Sequence, residues 1–139
     1  MILHHKGTTV WSICPDATVF EAIGILAAKN IGALPDMENG ELIGVFSERD
    51  YTRKVALEGK SSRNLKVREI LSTPVFSVTS QQTIDDGLRL MADKRIRHLP
   101  VMENNELIGI ISIGDLVNWI ISAQTSAISQ MEAYIAGGR

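Results

Sequence analysis

Two short patterns in this chain have residue types that can hold a ligand: Ser47-Glu48-Arg49-Asp50 and Ser112-Ile113-Gly114-Asp115. Each sets a hydroxyl three residues ahead of a carboxylate, where a β-prone run gives way to a helical one. One consequence is structural. Ser-x-x-Asp closes a capping box over the first helical turn and contributes about 1 kcal/mol. The other is chemical. Free amides and the positive dipole end draw an anion to a helix N-terminus, and a carboxylate held there can accept both hydroxyl hydrogens of a ribose 2′,3′-diol. The two uses can coexist.

The patterns recur because the chain is written twice. Residues 31–44 (IGALPDMENGELIG) return as residues 96–109 (IRHLPVMENNELIG) at an offset of 65 with no gap, and residues 10–53 against 75–118 give 17 identities in 44 pairs. A period this regular marks two copies of one unit. The copies differ most where Gly32-Ala33 in the first faces Arg97-His98 in the second. The first offers no polar side chain there. The second offers a guanidinium, suited to bidentate contact with phosphate oxygens, and an imidazole. Surface residues at a strand edge would look the same from sequence alone. A second difference is Asp36, a charge in an apolar strand where the other copy has Val101.

The elements that must position these groups follow from periodicity and punctuation. A β-prone run over 8–13 stops at Pro15-Asp16. A helix starts at Thr18, whose spacing to Glu21 forms a capping box, and ends at Asn30 and Gly32. Short strands over 33–37 and 42–46 flank Asn39-Gly40, a hairpin turn signal. A helix follows from Ser47 to about Glu58. The second copy repeats the scheme: strand 75–78, helix 83–94 with Thr83 and Asp86 as its cap, strands 98–102 and 107–111, and a helix from Ser112. That last helix is longer, since Leu116, Ile120, Ile121, Ile128, Met131 and Ile135 extend its apolar pattern. The fold class is α+β: two strand–helix–strand–strand–helix repeats packed with pseudo-two-fold symmetry. The first repeat spans 1–58, a linker 59–70, and the second repeat 71–139. Residues 60–64 of the linker read as too hydrophilic to pack, and 67–71 as a short helical turn. About 60 residues per half bury too little surface alone, so a shared core is expected.

Bulk properties narrow the function. With 139 residues, 45% hydrophobic, 22% charged and a net charge of −2, the chain reads as one globular body. That charge argues against a dedicated nucleic-acid binder, although Arg49, Arg53, Lys54, Lys60, Arg63, Lys66 and Arg68 make the middle locally basic. The apolar runs are too short to span a membrane. Cys14 stands alone, so no internal disulfide forms and a reducing cytoplasm is the simplest setting; it reads as a small buried residue. His4-His5 is too little for a metal site. Nothing suggests an enzyme: there is no metal-ligand cluster, no nucleophile with an evident base, no G-x-G-x-x-G and no P-loop.

The doubled unit, Ala33-Leu34-Pro35 with His98-Leu99-Pro100-Val101, and Leu-Ile-Gly with Ser-x-x-Asp downstream together resemble the tandem CBS domain pair, or Bateman module. The resemblance covers nearly the whole chain and is closest to small stand-alone bacterial members. It implies a regulatory module that binds an adenosine-containing nucleotide (AMP, ADP, ATP or NAD) between the repeats and signals to an effector in trans. It also implies crossed sites, the Asp of one copy working with the early segments of the other. Asp50 and Ser47 would then meet Arg97, His98 and Ile96, with Arg53 or Lys54 nearby and Pro74 and Phe76 along the base. Asp115 and Ser112 would meet Ile31, Gly32 and Ala33, with Thr9 and Trp11 along the base. Phosphate is expected at the Asp50 site, and a nucleoside end or nothing at the Asp115 site. The family commonly forms dimers, and the apolar helix faces exceed what the sheets cover, so a homodimer is expected. The alternative is a structural dimer whose clefts are vestigial.

Overall fold

The computed structural model describes residues 10–137; residues 1–9, with His4-His5 and Thr9, and residues 138–139 lie outside the described part. Its elements are α1 (Val19–Lys29), β1 (Ala33–Glu38), β2 (Glu41–Ser47), α2 (Glu48–Tyr51), α3 (Ile84–Lys94), β3 (His98–Glu103), β4 (Glu106–Ser112) and α4 (Ile113–Gly137). The strands pair as two antiparallel hairpins, β1 with β2 and β3 with β4. The fold is α+β and doubled, as the repeat requires.

Local chemistry explains the boundaries. Thr18 and Thr83 each accept from the backbone N–H three residues on, and Glu21 and Asp86 reach back to complete the box. Asn30 and Arg95 end α1 and α3 in the left-handed region, at φ of 53° and 55°. Both hairpins turn through two positive-φ residues, Asn39-Gly40 and Asn104-Asn105, the requirement of a type I′ turn. The helix expected over 47–58 is one α turn followed by a π-wound segment, Thr52–Ala56.

The first strand of each unit departs from expectation. Among the described residues each is a single parallel bridge, Ile13 to Asp36 and Val78 to Val101. The Ile13 N–H donates to the Pro35 carbonyl at 3.0 Å and its carbonyl accepts from Met37 at 2.9 Å. Val78 does the same with Pro100 at 3.0 Å and Met102 at 2.8 Å. The next rung upstream would need an N–H from Pro35 or Pro100, and proline has none.

The expected shared core is instead two buried clusters, one per unit. Val19, Leu26, Leu34, Phe46, Val55 and Val67 form the first; Val78, Met91, Leu99, Val101, Ile111 and Leu116 form the second. Full burial of side chains of this size is worth roughly 1.5–3 kcal/mol each. The 59–70 segment supports the first cluster. Val67 and Ile70 are buried in it, the Ser62 and Leu65 carbonyls accept from Phe20 and Val19, and Arg63 lies 4.0 Å over the Phe20 ring. Cys14, expected inside, is exposed.

Candidate functional site

The site is built from the N-terminus of α2 outward. Ser47 caps the helix: its hydroxyl accepts from the Asp50 N–H at 3.2 Å and donates to Asp50 Oδ2 at 3.0 Å, which also accepts from the Ser47 N–H at 3.0 Å. The other carboxylate oxygen, Oδ1, accepts from the Ser72 hydroxyl at 2.8 Å and pairs with Lys54 Nζ at 3.2 Å. Lys54 also donates to the Ile70 carbonyl at 3.0 Å. A carboxylate has about four lone-pair directions, and in Asp50 all four are engaged. The residue is buried, and its charge is held in place by hydroxyls, an amide and an ammonium.

Ser72 reaches this position by a backbone route. Its N–H donates to the Val45 carbonyl at 3.2 Å, which lays the 71–72 segment along β2. Leu71 before it lies over Gly44, where a Cβ would stand 2.4 Å from Leu71 Cδ1. Gly44 therefore makes room for the segment that delivers the hydroxyl.

Asp50 opens onto a cleft of about 650 Å³ between the two units. From the first unit come Gly32, Ser47, Arg49, Asp50, Arg53 and Lys54. From the other side come Ser72, Pro74, Val75 and Phe76, then Lys94, Arg95, Ile96, Arg97 and His98. The cleft thus brings together Ser47, Asp50, Arg53, Lys54, Pro74, Phe76, Ile96, Arg97 and His98. Gly32, expected at the Asp115 site, lies in this cleft instead, and a Cβ there would stand 2.9 Å from His98 Nε2, so the histidine ring of one copy packs on the bare backbone of the other. Six Lys or Arg side chains face two acidic ones, Glu48 and Asp50, in this lining. Such a field favours an anion. Phe76, Ile96 and Pro74 give the apolar part, with Lys94 Nζ 4.9 Å over the Phe76 ring.

Trp11, Ile31, Ala33, Ser112 and Asp115 lie outside this cleft. Ser112 and Asp115 form the matching cap, with bonds of 2.7 and 3.0 Å, and Lys29 lies 4.1 Å over the Trp11 ring. A second depression, about 580 Å³ along residues 80–85 and Ile120, Ala123 and Gln124, contains none of the nominated residues. Sequence reasoning missed Arg49, Ser72, Lys94 and Arg95. Arg49 was visible as part of the basic run. Only the fold sorts that run, since Arg49, Arg53 and Lys54 turn into the cleft while Lys60 pairs with Glu58 and Arg68 with Asp16 and Glu38. The helix end at Lys94 was expected, but nothing in the sequence said that it would bring Lys94 and Arg95 to the rim.

Among the described residues Asp36 is a discordant group. It is fully buried, neither carboxylate oxygen has a hydrogen-bond partner, and burial, helped by the charge of Asp50, pushes its pKa from 3.8 up to about 7. Among the described residues no group of side chains could hold a metal ion, and no helix is long and apolar enough to cross a membrane.

Comparison with known proteins gives the same doubling. The CBS domain family model matches residues 8–57 and again 67–122. The mitochondrial CBS domain-containing protein CBSX3 of Arabidopsis thaliana is 36% identical over 137 residues, 95% of this chain and 66% of that protein. The CBS domain-containing protein YhcV of Bacillus subtilis is 32% identical over 130 residues, 94% of this chain and 85% of that protein. This chain thus spans just under two thirds of the first of these relatives. Among solved structures, a protein with CBS domains from Burkholderia ambifaria superimposes with a TM-score of 0.84 at 41% identity, covering 88% of this chain and 93% of that one. A CBS-domain protein from Agrobacterium tumefaciens gives 0.79 at 38%, covering 84% and 94%. A CBS pair is a regulatory module, and with its two matched repeats this chain belongs to the CBS domain family.

Proposed function

We propose that the chain senses an adenosine-containing nucleotide, one of AMP, ADP, ATP or NAD, in the Asp50 cleft and passes its state to an effector protein in trans. One observation carries the reading: a buried carboxylate at a helix N-terminus shares a cleft of nucleotide size with cations contributed by the opposite repeat. Ribose hydroxyls take Asp50, the base lies against Phe76, Ile96 and Pro74, and phosphates meet Arg97, His98 and Arg53. Because Asp50 is already saturated, ribose must displace Ser72 or Lys54 from Oδ1. Displacement frees the Lys54 ammonium for phosphate and loosens the 71–72 segment that joins the repeats. Binding therefore shifts the population between two arrangements of the cleft. The CBS pair of protein MJ0100, alike in fold at a TM-score of 0.75 and 21% identity, was crystallised with 5′-methylthioadenosine and S-adenosylmethionine. Asp115 and Ser112, with Ile31, Ala33 and Trp11, are proposed as the less basic second site; Thr9, also expected there, lies outside the described residues. The proposed setting is the cytoplasm and the proposed assembly a homodimer.

Calorimetry with AMP, ATP and NAD tests this. Asp50→Ala should weaken binding about 100-fold, the loss of two hydrogen bonds to a charged acceptor at roughly 1.5 kcal/mol each. Equal affinity for variant and wild type would refute the ribose role. A self-associating scaffold with unused clefts is the competing reading, favoured by the apolar face left open along α4. No thermal shift with any nucleotide would support it.

A further inference from the structure

The helix α4 runs 25 residues, well past the second core, whose last members on it are Leu116 and Trp119. Beyond them its side chains through Ile135 are all exposed save Ile120. Its exposed apolar residues are not scattered. Val117, Ile121, Ile128, Met131 and Ile135, with Gln124 between them, follow spacings of 4, 3, 4, 3 and 4. That is the alternation of a heptad seam. The apolar members are 43–64% exposed, and Tyr134 on the flank is 81% exposed. The distal helix away from the stripe is small or polar: Ser122, Ala123, Thr125, Ser126, Ser129 and Gln130.

We infer that this seam pairs with α4 of a second copy of the chain in a parallel two-stranded coiled coil. The inference builds on the self-association proposed above and is independent of the nucleotide reading. A heptad stripe is complementary to another helix of the same repeat, and an identical chain supplies one about a two-fold axis. Charge argues against a nucleic acid or a lipid surface. Residues 113–137 hold no Lys or Arg and only Asp115 and Glu132 as acids, so the face has nothing to attract phosphates or an anionic bilayer. It also places little like charge against its own copy. Gln124 sets the direction. In a parallel pair it meets Gln124 of the second copy, amide to amide; in an antiparallel pair it meets Ile128 and is buried without a partner. On the helix circumference the seam centre lies roughly 100° from Leu116 and roughly 160° from Trp119, so the face offered to the second copy is not the face packed on the core. Covering five half-exposed residues and their flanks on both copies removes on the order of 1,000 Å² from water, the threshold of a specific interface.

Light scattering of the full chain and of Ile128→Asp is the first test, with circular dichroism melting to check that the exposed substitution leaves the body folded. The wild type should have twice the chain mass and the variant half the wild-type mass. A monomeric wild type, or an unchanged variant mass, overturns the seam. Oxidation in a Cys14→Ser background tests direction: Ile128→Cys should cross-link to a dimer and Ser126→Cys, on the opposite face, should not. Failure of Ile128→Cys to cross-link overturns the parallel register. Nucleotide thermal shifts on Ile128→Asp keep the two readings apart, since the Asp50 cleft is untouched by the change.

Discussion

Replacing Asp36 with the residue its own repeat supplies, Asp36→Val, should stabilise the protein, and more so as pH rises. Asp36 is fully buried with both oxygens unpartnered, while Val101 occupies the matching place in the second core. In the unfolded chain the carboxyl titrates at 3.8, and in the fold at about 7. A raised carboxyl pKa means that the folded state holds its proton longer. The group costs nothing by ionisation below pH 3.8, costs progressively more up to pH 7, and reaches a plateau above it. Each unit is worth about 1.4 kcal/mol, so the plateau is roughly 4 kcal/mol and the cost at pH 5 is roughly 1.6 kcal/mol. The advantage of Asp36→Val over wild type should therefore grow by about 3 kcal/mol between pH 5 and pH 8, on top of a pH-independent gain from removing an unsatisfied polar group. Urea unfolding at pH 5, 6, 7 and 8 measures this, with Asp36→Asn as a control of similar shape that cannot ionise. A stability difference that is flat with pH, or a variant less stable at pH 8, would refute the reasoning. Because Asp50 contributes to the shift, an Asp50→Asn background should narrow the pH dependence.

Further outcomes follow from the cleft. If the guanidinium serves phosphate as proposed, Arg97→Ala should weaken AMP and ATP about tenfold or more, with a larger loss for ATP and little for adenosine; Asp115→Ala should leave ATP affinity at the Asp50 site within a factor of two. Calorimetry on the pair of variants decides, and equal losses would remove the asymmetry between the sites. Gly44→Ala should cost about 1–3 kcal/mol in urea unfolding, since its methyl would stand 2.4 Å from Leu71 Cδ1. The same change should lower nucleotide affinity, because a displaced Leu71 carries Ser72 away from Asp50.

The elements that local chemistry specifies were legible. Thr18, Thr83, Ser47 and Ser112 announce helix starts through side-chain bonds three residues long, and Asn39-Gly40 names its turn. Those signals are complete within a few residues, so the sequence carries them whole. The first strands failed for a longer-range reason. Residues 8–13 and 75–78 are β-prone, but a ladder also needs donors on the partner, and Pro35 and Pro100 withhold them. The helical turn expected over 67–71 is present at Val67–Glu69, but the stretch before it, read as too hydrophilic to pack, failed similarly. Its polarity hid that its carbonyls serve the α1 backbone and that Val67 and Ile70 finish the first core.

By itself the sequence determined the doubling, the α+β class, the two capped carboxylates and the contrast of Arg97-His98 with Gly32-Ala33. All of these are comparisons of the chain with itself, and need no coordinates. Only the tertiary structure decided which cations meet Asp50, that Ser72 and Lys54 already occupy its lone pairs, and that Asp36 is buried without a partner. Those facts depend on where residues tens of positions apart come to rest. Hydrogen bonding and desolvation act over a few ångströms in space and are indifferent to separation along the chain.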